Sequence, residues 1–359
     1  MAQTGDQALR RGAMAVRVAD VAERAGVSIS TVSYALTGKR PISAKTRERV
    51  QRAIDELGYR PNAGARSIRT GTTDIIGMVI PVAPDVRADI QMRFVLAVLQ
   101  QARAYGKNVL LLTSEDGMDE VRNLTTSAAV DGLVAMEIQV HDPRVPVLSA
   151  LSRPTVLIGT PADPRELPHV DFHSAEAGAV CARYLLDLGH RDIAYLGQSQ
   201  QAFDREAGYA VRARDGALSQ LSAAGCRNAF APVEPGPAGP TQALESLLSA
   251  NPDTTGLIVY NEHALPHLLR RLGELGMRVP ADMSVVTICP EDEATSLVPP
   301  VSGVTLPVAE LGKLAVDQLM GVLHGEVPHP VLLRPALTPR GSAGPPPRPP
   351  RTRPRKAET

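Results

Sequence analysis

From residue 75 onward the chain alternates short apolar runs with amphipathic stretches, and few folds accept that pattern. The runs fall at 75–80, 109–112, 132–136, 155–158, 193–196, 256–259 and 284–288, and helical spacing between them predicts helices at 92–105, 177–188, 214–224 and 265–275. Short strands that alternate with helices of about ten to fifteen residues make βαβ units and parallel sheets. Two series of such units predict two α/β lobes with a cleft between them, and a length of 359 residues suits two or three domains.

Before residue 74 the pattern is helical only. Val18, Val21, Ala22 and Ala25 give a first helix one apolar face, and Asp20 and Glu23 favour its dipole. Gly26 supplies the positive φ of a tight turn, and Ser28 caps the next helix. In that helix Val32 and Leu36, one turn apart, are expected to face the core, with Ile29, Ser30, Ser33 and Tyr34 outward. Gly38 ends it, Lys39, Arg40 and Pro41 form a basic loop, and Ser43 caps a third helix carrying Val50, Ile54 and Leu57. Three short helices with a glycine turn between the first two make a helix-turn-helix domain. Its second helix enters the major groove, which assigns base reading to Ile29, Ser30 and Tyr34. Thr31, Ser33, Lys39, Thr46 and Arg47 are expected on phosphates, which position the domain without reading sequence.

Charge agrees. The net formal charge is zero, yet residues 17–74 carry eleven Lys/Arg against six Asp/Glu, and residues 340–359 carry six against one. The middle is therefore acidic, and a basic front suits a polyanionic partner. Residues 1–15 are polar and lack the apolar stretch of a secretory signal, and no run suits a membrane span. Cys181, Cys226 and Cys289 are far apart, which argues against disulfides or a zinc site and fits a cytoplasmic protein. There is no H-E-x-x-H, G-x-S-x-G or P-loop, and the histidines do not cluster at metal spacing. Neither an enzyme activity nor a cofactor is expected.

The string VRVADVAERAGVSISTVSYALTGKRPISAKTRERVQRAIDELGYRPNAGARSIRTG closely resembles the headpiece of the LacI/GalR family. The resemblance continues through IIGMVIP, LLDLGHRDIAYLG, IVYNEHAL, RVPADMSVV and PVAELGKLAVDQLM, and so covers most of residues 17–325. It implies an all-α headpiece on a two-lobed, periplasmic-binding-protein-like α/β core with parallel sheets. The organisation expected is a disordered lead-in at 1–15, a helix-turn-helix domain at 16–61 and a hinge at 62–73. The first lobe is expected at 74–173 and 303–325, the second at 174–302 and 326–340, and a disordered Pro/Arg tail at 341–359.

The resemblance also implies a homodimer that binds double-stranded operator DNA of near-palindromic sequence. Repression is the default polarity, with a small-molecule effector in the interlobe cleft. A solute-binding protein of the same core fold is the alternative, and the headpiece argues against it. Pro61 separates the headpiece from a short hinge helix at 63–69 that Asn62 can cap. In the family this helix orders on DNA and wedges an apolar side chain into the minor groove. Ile68 matches the wedge, where Leu is usual, and Ala65 belongs to the same helix.

For the effector the family pattern points to Asn261, in Asn261-Glu262, and to Asp171. An arginine is also expected shortly before a glycine. Two alignments compete: Arg205 before Gly208, or Arg214 near Gly216, the second favoured by a helix expected at 216–225. After SVV the family commonly has Gly, an aromatic and two aspartates. Here Thr287-Ile288 leads into Cys289-Pro290, and Glu291 and Asp292 come two residues late. A thiol and a proline cannot provide bidentate acceptance from a diol, and aromatics make up only 3% of the chain. Both facts weaken a sugar ligand. Cys289 is kept as an effector-site position, and His190 is expected to be structural.

Overall fold

A computed structural model describes residues 16–37, 40–59, 71–81, 88–113 and 118–347, and the chain divides after Thr73 into two compact units. The first unit holds α1 (Val18–Ala25), α2 (Ile29–Thr37) and α3 (Ala44–Leu57). Gly26 adopts φ 63°, and the Val27 amide closes on Ala22 O at 3.0 Å. Ser28 and Ser43 accept from the Thr31 and Thr46 amides at 3.2 and 3.1 Å, which sets where α2 and α3 begin. Arg49 of α3 donates to Ala25 O and Gly26 O, satisfying carbonyls left open at the end of α1.

The core of this unit is Val21, Ala22, Ala25, Val32, Val50 and Ala53. Leu36, expected inside, is 40% exposed, and Ala35 packs against the core in its place. The buried side of α2 runs along 32 and 35, where a small alanine permits close helix approach.

The second unit contains two six-stranded sheets among the described residues. The first sheet has the order β11-β5-β4-β3-β1-β2. Its strands are β1 (Ile75–Ile80), β2 (Asn108–Thr113), β3 (Gly132–Ala135), β4 (Thr155–Ile158), β5 (His169–Phe172) and β11 (Val331–Leu333), all parallel. The second has the order β12-β10-β9-β8-β6-β7. Its strands are β6 (Asp192–Leu196), β7 (Arg227–Ala231), β8 (Gly256–Val259), β9 (Ser284–Cys289), β10 (Ser302–Thr305) and β12 (Leu337–Thr338), with only β12 antiparallel. Helices α4 (Ala88–Ala104), α5 (Met118–Thr126) and α6 (Val145–Ser149) belong to the first lobe, joined by the later α13 (Val308–Leu323). Helices α7 (Ser174–Asp187), α8 (Gln200–Asp204), α9 (Gly208–Ala223), α10 (Gly239–Ala250), α11 (Ala264–Glu274) and α12 (Glu291–Ser296) belong to the second.

The chain passes between lobes three times, and two boundaries differ from expectation. Residues 303–305 lie in β10 of the second sheet, because Ser302–Thr305 register with β9 from Val286 to Cys289. Residues 331–333 form β11, the edge of the first sheet beside β5, so 326–340 is not all second lobe. The first-lobe segment is α13, whose Gly312 lets Ala97 of α4 approach closely.

The tail is also ordered further than expected. Ser342 is fully buried and exchanges hydrogen bonds with Val285, while its hydroxyl accepts from Ser302 N at 2.7 Å. Gly344 O accepts from His190 Nε2 at 2.9 Å. A carbonyl only accepts, so Nε2 carries the proton and Nδ1 takes the Thr255 hydroxyl at 2.8 Å. Burial pulls the His190 pKa down, in keeping with a neutral ring. His190 thus pins the segment at 341–347 across the starts of β8 and β9.

Helix α9 starts at Gly208, not near 214–216. Gly216 sits inside α9, where a Cβ would meet Ala175 O at 2.0 Å; Gly178 of α7 is equally tight against Ala213 O at 2.0 Å. The two glycines allow α7 and α9 to cross backbone to backbone.

Candidate functional site

Helix α2 presents Ile29 and Ser30 to solvent, and Tyr34 follows one turn later, half-buried. Ile29, Ser30, Ser33 and Tyr34 occupy i, i+1, i+4 and i+5 and share one face. The Ser28 hydroxyl lies 2.8 Å from those of both Ser30 and Thr31, so the start of α2 carries a linked set of hydroxyls. Thr46 makes a similar 2.8 Å contact with Ser43, and Arg47 beside it is exposed. The Arg40 guanidinium stands 5.5 Å from the centroid of the Tyr34 ring. Arg40 was not selected from sequence, although its place in the basic Lys-Arg-Pro loop was a signal. Lys39, Asn62, Ala65 and Ile68 lie outside the described residues.

A cavity opens between the lobes at the C-terminal ends of the strands, where open α/β sheets place their ligands. Gln91 and Phe94 of α4 line it, as do Met136 to Ile138 after β3 and Asp171 and Phe172 of β5. The second lobe contributes Gln198, Tyr209, Arg212, Tyr260 and Glu262. Asp171 accepts from Thr160 N at 2.9 Å and lies 3.9 Å from Arg212, which also donates to Thr160 O. Burial raises the Asp171 pKa, against the opposing pull of Thr160 and Arg212. Tyr209 and Tyr260 meet edge to face at 5.9 Å.

Of the effector positions expected from sequence, Asp171 alone is among the cavity-lining residues. Arg205 stands one layer behind, paired with the lining Glu137 at 3.1 Å. Arg214 pairs with Asp215 and stacks over Phe203 and Phe230, away from the cavity. Asn261 accepts from Ala264 N at 3.2 Å and donates to Gly197 O at 3.3 Å, tying two strand ends together while Glu262 lines the cavity. Cys289 is buried off the cavity, and burial pushes its thiol and that of Cys181 up to about 12. Neither thiol is a ready nucleophile at neutral pH.

Sequence reasoning missed Arg212, which lies one helical turn after Gly208, because α9 was expected to begin later. It also judged the cleft poor in rings. Phe94, Phe172, Tyr209 and Tyr260 all line it, out of four phenylalanines and seven tyrosines in the chain. A low total had hidden a local concentration. Among the described residues no group of three or more His, Cys, Asp or Glu could hold a metal ion, and no helix is long and apolar enough to cross a membrane.

Two families match. Residues 17–62 match the family described as bacterial regulatory proteins, lacI family, and residues 182–343 match a periplasmic binding protein-like domain. The chain is 29% identical to the HTH-type transcriptional regulator AglR of Rhizobium meliloti (strain 1021), over 93% of this chain and 96% of that protein. It is 26% identical to the HTH-type transcriptional repressor PurR of Pasteurella multocida (strain Pm70), over 84% and 90%. Its fold resembles the lac repressor dimer bound to operator and the anti-inducer ONPF, with a TM-score of 0.80 at 24% identity, over 92% of this chain and 100% of that one. The transcriptional regulator CelR in its cellobiose complex is also similar, with a TM-score of 0.64 at 26% identity, over 91% and 99%.

Proposed function

Because the chain belongs to the lacI family of bacterial regulatory proteins, we propose that it is a transcription regulator, by default a repressor, that binds a near-palindromic operator as a homodimer. The observation that carries this is the outward face of α2, Ile29, Ser30 and Tyr34, on a capped helix-turn-helix whose surrounding sequence is strongly basic. Ile29 offers apolar contact suited to a thymine methyl, and Ser30 and Tyr34 offer hydroxyls to base edges. Thr31, Ser33, Lys39, Thr46 and Arg47 are assigned to phosphates, and Asn62, Ala65 and Ile68 to the minor groove. DNA as partner puts its work in the cytoplasm.

A dimer is supported by the first lobe itself. Met92, Leu96 and Leu99 form an exposed apolar stripe on α4, with Leu96 50% exposed. Beside β1, the edge strand β2 leaves Leu110 and Leu111 exposed. Native proteins rarely leave an apolar edge strand open.

The cleft is assigned to a small-molecule effector held by Asp171, Arg212 and the ring cluster, with Arg205 behind Glu137. The lac repressor structure holds the anti-inducer ONPF and the CelR structure holds cellobiose, and the same kind of occupant, a small molecule, fits here. Fluorescence anisotropy against promoter DNA from its own gene tests the reading. Tight, salt-dependent binding that discriminates against scrambled DNA is expected. Equal affinity for both DNAs would overturn it.

A further inference from the structure

The displaced acidic run Glu291-Asp292-Glu293 does not reach the cavity. Glu291 is held inside the second lobe by Arg340, through two bonds of 2.6 and 2.7 Å, and by the Thr305 hydroxyl at 2.6 Å. Asp292 and Glu293 instead reach the other lobe. Arg93 of α4 makes a forked pair with Asp292 at 2.7 and 3.0 Å and a further contact with Glu293 at 3.3 Å. Of the two carboxylates that come two residues late, Asp292 therefore crosses the cleft, Glu291 stays within its own lobe, and neither lines the cavity. The lobes also touch elsewhere, where Val140 N donates to Glu206 O at 2.9 Å and Gly208 N to Ile138 O at 3.1 Å.

We propose that Arg93 and the acidic start of α12 form an interlobe latch that holds the cleft closed and ties the position of the second lobe to α4. The idea stands apart from the identity of any cleft ligand. Helix α4 is placed to transmit what the latch senses. Its Gln91 and Phe94 line the cavity, its Arg93 crosses to the second lobe, and its Met92, Leu96 and Leu99 form the exposed stripe. A shift of the second lobe pulls on the same helix that carries the dimer face. Arg93 is thus a positioning residue that acts through α4 and touches no ligand. Arg340 gives the latch a fixed base, since its grip on Glu291 anchors the first turn of α12.

The pair is partly solvated, with Asp292 68% exposed on its side chain, so its effect is graded. Exposed pairs are worth up to about 1 kcal/mol, or about fivefold in an equilibrium. Hydrogen–deuterium exchange on the full-length protein reads it. Opening the lobes breaks the hydrogen bonds of the Val140 and Gly208 amides, while amides within β8 lie inside one lobe and report general loosening. Arg93→Gln and Asp292→Asn should each speed exchange at Val140 and Gly208 by about two- to fivefold and leave β8 unchanged. The double variant should add little beyond the larger single effect, as expected for partners in one interaction. Arg93→Lys, which keeps the charge and loses the fork, should fall between wild type and Arg93→Gln. Wild-type exchange at both amides in the single variants, acceleration shared equally by β8, or fully additive effects would overturn the latch.

Discussion

Gly216 of α9 lies directly on the carbonyl of Ala175 in α7, and a Cβ at that position would stand 2.0 Å from the oxygen. The helices cannot keep this crossing with any larger residue. In an exposed helix, Gly→Ala gains about 1 kcal/mol. Here overpacking outweighs that gain, and Gly216→Ala should destabilise the protein by about 1–3 kcal/mol. Urea unfolding followed by circular dichroism reads the difference, and a stabilised variant would contradict the packing.

His190 makes stability depend on pH. Its folded pKa is below the ordinary 6.5 because burial disfavours the charged ring. The unfolded chain therefore binds the proton first, and stability rises with pH in this window. The contribution is complete above 6.5 and is lost as pH falls through the folded pKa. His190→Asn should flatten the melting temperature against pH below 6.5 and loosen the segment at 341–347. An unchanged slope would mean that another group sets it.

On DNA, base-reading and phosphate residues should separate by their signatures. Tyr34→Ala should cost about 1–3 kcal/mol on the operator and relax discrimination at one base position. Arg47→Ala should weaken binding to all sequences and reduce the slope of log affinity against log salt by about one. Arg40→Gln removes the cation from the Tyr34 ring and should cost about 0.5–1 kcal/mol. Competition titrations at several salt concentrations distinguish the three.

A charge on the apolar stripe should dissociate the dimer. Leu96→Asp places a carboxylate in the middle of α4's exposed face, and sedimentation velocity should show a monomer. Operator affinity should fall with it, since paired half-sites need paired headpieces. A dimer that survives this change would move the interface elsewhere.

The cleft can be tested without knowing its occupant in advance. A metabolite that binds the folded state raises the melting temperature by mass action. For any such compound, Asp171→Asn should weaken binding by about tenfold or more, the worth of one charge-assisted hydrogen bond. Arg214→Gln should leave the shift intact, because Arg214 stacks on Phe203 and Phe230 outside the cavity.

Much of the site failed to show in one dimension for a physical reason that is the same in each case. Arg212 and Arg214 lie two residues apart, and the rotation of α9, set by its start at Gly208, decides which of them faces the cavity. Asn261 and Glu262 are neighbours, yet one ties strand ends and the other lines the cleft. The ring cluster gathers Phe94, Phe172, Tyr209 and Tyr260 from four separate elements or strand ends, which composition cannot reveal.

The sequence by itself determined what rests on local forces. Glycine turns, serine caps and hydrophobic periodicity act over a few residues, so the helix-turn-helix and the parallel α/β core were legible from them. Tertiary structure decided what depends on contacts between distant segments. It buried Ala35 instead of Leu36, placed β10 and β11 in opposite lobes, and folded the start of the tail onto His190. It also turned Asp292 and Glu293 of α12 toward Arg93. Partners so far apart along the chain are chosen by packing and charge in three dimensions, which no local pattern encodes.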